Sequence, residues 1–142
     1  MKIALASDHA GFQYKQEIKA YLKNKGIQVV DVGTNSIESC DYPIFAHAAA
    51  EKVANGDADY GILVCSSGEG IAIAANKTKG IRAGIAYNDE VARLMRQHNN
   101  ANMIAFGATF MKLPDVLKRI DIFLKTPFEG GRHERRVSEI EK

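Results

Sequence analysis

The chain is poor in cysteine, has no paired metal-ligand motif and no long apolar run, and each absence removes a class of function. Its only cysteines are Cys40 and Cys65, and it contains no C-x-x-C and no H-x-x-x-H pair. The spacing that marks a zinc site is therefore missing. No secretory leader precedes the thiols, which points to a reducing, cytoplasmic compartment where a disulfide between them is not expected. No apolar stretch nears the roughly 20 residues that span a bilayer, so no membrane partner is expected. Net charge is only +2, pI is near 8.5, and no Lys/Arg run appears before Arg132. That falls short of the basic signature of nucleic-acid binding. Neither phosphate fingerprint is present, since no GxGxxG follows the first strand and no Gly-Lys-Ser/Thr closes a P-loop.

What is present suits an ordinary globular protein. A length of 142 residues fits one domain, 1–142, and 46% hydrophobic with 25% charged residues is usual for such a domain. Apolar runs predict strands at Lys2–Ala6, Ile27–Val32, Ile81–Ala86 and Asn102–Phe106, and Asp57 to Cys65 leads into another, the third in order. Between them, near-helical spacing predicts helices at Phe12–Lys25, Ile44–Ala54, Ile71–Asn76, Asp89–Gln97 and Leu113 to about Leu124. Gly33–Pro43 reads as loop, Thr126–Gly131 as a break, and Arg132–Lys142 as a charged tail with a short helix. Strands alternating with helices make an α/β fold with a parallel sheet covered on both faces. The first strand, helix and strand form a right-handed βαβ unit.

In such a sheet, side chains just past the carboxyl ends of strands face the ligand crevice. Those positions include Asp8 and His9, Asp31 to Thr34, Cys65 to Gly70, Tyr87 and Asn88, and Gly107 to Thr109. Cys65 is the sharpest candidate: a thiol at a strand end, before a turn whose N–H groups open a helix that would favour the thiolate. A buried structural cysteine is the plain alternative. Ser66, Ser67 and Gly68 favour the reactive reading, because they offer hydroxyls and unhindered N–H groups for a phosphate or an oxyanion. Glu69 is read as a solvated loop carboxylate rather than a base. Asp8-His9 suits proton shuttling, although such pairs also cap helices. His47 reads as packing or surface. His98 and Asn99 form a polar cluster at the end of a helix, which makes His98 a second candidate. Gly130 to Arg136 is either a solvated helix face or an anion clamp, since guanidinium forks match phosphate oxygens. On this evidence the ligand is a small anionic metabolite.

The motifs resemble the type B ribose-5-phosphate isomerases and the related galactose-6-phosphate isomerase subunits. The matching pieces are S-D-H-A-G-F from Ser7, D-Y-P at Asp41, I-A-A-N-K ending at Lys77 and G-I-R-A at Gly80. R-Q-H-N-N-A-N from Arg96 and G-G-R-H-E-R-R-V from Gly130 complete the series, in order over nearly the whole chain. The resemblance implies a Rossmann-like three-layer sandwich with a five-stranded parallel sheet and no metal or other cofactor. It also implies a homodimer with shared sites, open to further pairing into tetramers, with the tail of about 126–142 packing on a partner subunit. The implied reaction is aldose–ketose interconversion of ribose 5-phosphate and ribulose 5-phosphate through an enediolate. Isomerisation of a six-carbon sugar phosphate, or sugar-phosphate binding without turnover, are the alternatives.

Residue by residue, the resemblance makes Cys65 the base and Ser67, with Gly68 and Gly70, the enediolate cradle. It makes His98 the residue that opens the furanose ring, with Asp8 close by. His9, Arg132 and Arg136 match phosphate contacts and Asn99 a sugar contact. The chain departs from the pattern at three places. Ser66 stands where glycine is common, Glu69 where an apolar residue is common, and Gly107-Ala108-Thr109 lacks the arginine that usually ends G-x-R.

Overall fold

The strand Lys2–Ser7 (β1) lies near the middle of the computed structural model, which describes residues 1–142. It leads through a 3₁₀ turn, His9–Gly11, into helix α1, Phe12–Asn24, and then to strand β2, Gln28–Asp31. Helix α2, Tyr42–Ala54, precedes strand β3, Tyr60–Cys65, and helix α3 spans Glu69–Ala75. Strand β4, Ala83–Ile85, helix α4, Asp89–Gln97, and strand β5, Met103–Gly107, follow. Helices α5, Leu113–Lys125, and α6, Arg132–Ser138, finish the chain.

The five strands are all parallel, in the order β2-β1-β3-β5-β4. Alternation along each strand divides the side chains between two helical layers. Ile3, Leu5, Ile62, Val64, Ile104 and Phe106 pack against α1, α4 and α5. Ala4, Ala6, Leu63, Cys65, Met103 and Ala105 pack against α2 and α3, whose own inner faces are mostly alanine. The result is a three-layer sandwich with one bulky and one small-residue interface.

Chain order reverses between β1 and β3. The helix after β1 covers one face and the helix after β3 covers the other, so a crevice opens between the two strand ends. Asp8 and His9 follow β1 and Cys65 ends β3, which places all three at that crevice.

Several boundaries differ from expectation. Helix α2 begins at Tyr42 rather than Ile44, because Pro43 sits in its first turn, where a missing N–H costs nothing. Helix α3 begins at Glu69 because Gly68 turns the chain in the left-handed region. Strand β4 keeps only three residues, the ones that pair with β5 at the sheet edge. No helix is long and apolar enough to cross a membrane.

Candidate active site

The carboxyl edge of the sheet gathers one group of the expected residues. Cys65 is 5% exposed and unpaired, and its Sγ accepts the Gly68 N–H at 3.1 Å. That contact needs Gly68 at φ +86°, a conformation side chains other than glycine rarely adopt. The Ser67 hydroxyl accepts the Glu69 N–H at 3.1 Å, and the Glu69 side chain is exposed, as expected of a solvated carboxylate. Gly70 is overlain by the Tyr42 ring; a Cβ there would lie 2.7 Å from the ring carbon Cζ. The turn after β3 is therefore narrow, rigid and rich in backbone N–H groups.

Asp8 is buried and its Oδ1 accepts the N–H groups of Ala10 and Gly11 at 3.0 and 3.2 Å. It caps the 3₁₀ turn, the structural use that an Asp-His pair allows. The cap holds His9 at the crevice. His9 Nδ1 accepts the Cys40 N–H at 3.2 Å, which leaves the ring proton of the neutral imidazole on Nε2. The Cys40 thiol lies 3.8 Å from the same nitrogen. Beyond Cys65, the Ser66 and Thr109 hydroxyls hydrogen-bond to each other at 2.7 Å.

A second group lies at the opposite, amino edge. His98 follows α4 and precedes β5, and the chain around it is tied down by two buried or half-buried arginines. Arg82 Nε donates to the carbonyls of Asn99 and Asn100, both at 3.0 Å. Arg96 donates to the carbonyls of Ala101 and Thr126 at 2.7 and 3.1 Å, its guanidinium 5.0 and 5.7 Å from the ring centroids of Tyr60 and Phe123. The Glu129 N–H reaches the Gln97 carbonyl at 3.1 Å, which brings α6 and its Arg132 and Arg136 alongside. The His98 and His133 rings stack, and Glu129 Oε1 lies 3.6 Å from His98 Nε2.

One chain thus brings Asp8, His9, Cys65, Ser67, Gly68 and Gly70 together, and His98, Asn99, Arg132 and Arg136 together, but not the two sets. Met103–Gly107 separates them, a strand length of about 13 Å at the usual rise per residue. The surface hollows of the chain, one of about 300 Å³ between Asn76, Arg82 and Glu141, do not include Cys65 in their walls.

Sequence reasoning gave no role to Tyr42, Cys40, Glu129 or the individual ring of His133. Tyr42 lay within a quoted motif, D-Y-P, but nothing local signals that its ring covers Gly70. His98, Glu129 and His133 place their ligand atoms within 4.8 Å of one another. The two rings are nearly parallel, 13° apart, so their in-plane lone pairs do not converge on one ion in this arrangement. Partial burial, then the charges of His98 and Arg132, hold the His133 imidazole below its ordinary value.

Residues 3–140 match the family described as Ribose/Galactose Isomerase. The chain is 47% identical over 139 residues to ribose-5-phosphate isomerase B of Escherichia coli (strain K12), covering 98% of this chain and 93% of that protein. It superposes on ribose-5-phosphate isomerase B of Clostridium thermocellum with a TM-score of 0.98 at 47% identity, covering 99% and 95% of the two chains. A structure of ribose-5-phosphate isomerase B from Mycoplasma genitalium with bound ribulose-5-phosphate matches with a TM-score of 0.93 at 45% identity, covering 98% and 93%.

Proposed function

The chain belongs to the ribose/galactose isomerase family, and on that premise we propose that it interconverts ribose 5-phosphate and ribulose 5-phosphate with Cys65 as the base. The observation that carries the residue assignment is the Cys65 sulfur at the end of β3, held by the Gly68 N–H at 3.1 Å in the glycine turn that opens α3. Sulfur in the thiolate form takes the proton from the second carbon of the open-chain aldose. The electron pair moves into the bond between the first two carbons, and negative charge grows on the carbonyl oxygen. N–H groups of the Ser67–Gly70 turn and the Ser67 hydroxyl meet that charge, which is what makes removal of a carbon-bound proton feasible. The thiol then returns the proton to the first carbon while a proton passes between the two oxygens, which gives the ketose.

Ring opening falls to His98, and phosphate binding to His9 with Arg132 and Arg136, Asn99 contacting the sugar. Charge placed on a remote phosphate fixes the sugar over the base. Because the two residue sets sit at opposite edges of one sheet, the complete site needs a second copy of the chain, with the tail of about 126–142 reaching the partner's crevice. The face for that copy is supplied by α2 and α3, where Ile44 and Ile73 are 63% and 60% exposed. A twofold pairing makes both sites equivalent, and pairing of dimers into tetramers is compatible with it. Two free thiols suit a reducing cytoplasm.

The test is conversion of ribose 5-phosphate by wild type and Cys65→Ala. The expected result is a loss of kcat of at least about a thousandfold with KM little changed; full activity in the alanine variant removes Cys65 as base. The neutral Thr109 at the end of β5 favours one further reading, acceptance of a six-carbon sugar phosphate, which kcat/KM on allose 6-phosphate and galactose 6-phosphate would show.

A further inference from the structure

Ser66 and Thr109 are distant in sequence, exposed, and joined hydroxyl to hydroxyl at 2.7 Å. They follow neighbouring strands, β3 and β5, whose ends are in register, Cys65 opposite Gly107. The two loops stay joined past the strand ends: Ala108 N–H donates to the Cys65 carbonyl at 2.8 Å and Thr109 N–H to the Ser66 carbonyl at 3.1 Å. Below them the loop after β5 is braced by the Tyr14 hydroxyl, which donates to the Met111 carbonyl at 2.7 Å. Both hydroxyls are therefore positioned by backbone, Ser66 one residue past the proposed base and Thr109 two past its register partner Gly107.

An exposed hydroxyl pair adds little to folding, because water would satisfy either group as well. Its chemistry is more informative. Of the two protons, one lies between the oxygens, and the other is free to donate outward. The pair carries no charge, so it can select by hydrogen bonding but cannot anchor an anion by attraction. We propose that Ser66 and Thr109 act as one specificity-determining contact that donates a hydrogen bond to an oxygen of the sugar phosphate. The inference rests on the proposed function, since it takes the substrate to lie over Cys65. The oxygen belongs either to a sugar hydroxyl or to the phosphate, and these two sources share the same chemistry.

The experiment measures KM and kcat for ribose 5-phosphate, inhibition by inorganic phosphate, and the rise in melting temperature with added ribose 5-phosphate, for wild type, Ser66→Ala, Thr109→Val, the double variant and Thr109→Ser. Each single loss is expected to raise KM about 3- to 10-fold with kcat within about twofold, the range for one neutral hydrogen bond. The double variant should resemble either single one, since the two form a unit, and Thr109→Ser should restore wild-type KM. If inhibition by phosphate weakens in parallel, the contacted oxygen is on the phosphate; if it holds steady, the oxygen is a sugar hydroxyl, and either result supports the contact. Unchanged KM in both single variants, multiplying effects in the double variant, or no rescue by serine would overturn it. The thermal shift reads binding without turnover. A chain that binds ribose 5-phosphate but does not isomerise it still tests the contact, while Cys65→Ala separately tests the chemistry.

Discussion

The imidazoles of His98 and His133 lie face to face, centroids 4.3 Å apart, and this stack, with the Glu129 N–H on the Gln97 carbonyl, joins α6 to the end of α4. Partial burial, His98 and Arg132 keep the His133 ring below its ordinary value near 6.5. The docked tail therefore binds a proton less readily than a detached one. Well above pH 6.5 neither form is protonated there and docking is at full strength; as pH falls through that value toward the depressed one, the detached tail is favoured. Limited proteolysis within residues 126–131 should accelerate between about pH 7 and 5. His133→Phe keeps a ring to stack and removes the proton, so it should flatten this dependence. An unaltered profile in that variant would assign the effect to other groups.

Mixing two dead variants tests the shared site. On the proposed roles Cys65→Ala spoils one edge and His98→Ala the other, so each homodimer should be inactive. After co-refolding in equal amounts, half of the dimers are mixed and each holds one intact site, so activity should recover to about a quarter of wild type. No recovery would mean that both residues serve from the same chain.

Lys15 is fully buried and its Nζ meets Asp31 Oδ2 at 2.6 Å, with Lys19 at 3.1 Å and the Gly33 N–H on Oδ1 at 3.1 Å. Burial alone would raise the Asp31 carboxyl, but Lys15, Gly33 and Lys19 outweigh it and hold it below its ordinary value of 3.8. This contribution to stability is complete above that value and fades as pH drops through the depressed one. Asp31→Asn should cost about 3 kcal/mol at neutral pH by stranding the Lys15 charge. It should also flatten the acid limb of the melting curve. Pairing it with Lys15→Met should recover part of the loss; an unrecovered double variant would point to packing instead.

Gly68→Ala probes the turn itself. The residue sits at φ +86°, and a Cβ would come within 3.0 Å of the Phe106 carbonyl carbon. The expected cost is about 1–2 kcal/mol of stability. The displaced N–H should also lower kcat about tenfold or more, with a smaller change in KM. Normal kcat in a correctly folded variant would remove the Gly68 N–H from the mechanism.

The β3–turn–α3 unit was legible because an apolar run, a thiol and paired glycines are local signals. So was the α/β class, since alternation of strand and helix determines the layers. Positions of helix starts were less so: Pro43 reads as loop from composition, yet a first helical turn accepts it. The edge on which His98 lies was readable in principle. It precedes a parallel strand, so it belongs at the amino side, away from Cys65. Contacts between distant hydroxyls are another matter. Nothing near Ser66 announces Thr109, because their meeting depends on β3 and β5 becoming neighbours, a fact of topology and register. The Tyr42 ring over Gly70 was hidden for the same reason.

His98 and the tail arginines stand at one end of the sheet and Cys65 at the other, so the proposed site would divide its labour within a single gene product. On the proposed shared site, each chain is a donor at one end and an acceptor at the other. If such a gene is duplicated, one copy can keep the acceptor end and the other the donor end. Each is then free to lose the end it no longer uses, and a pair of mutually dependent, individually silent subunits would result from ordinary loss of residues.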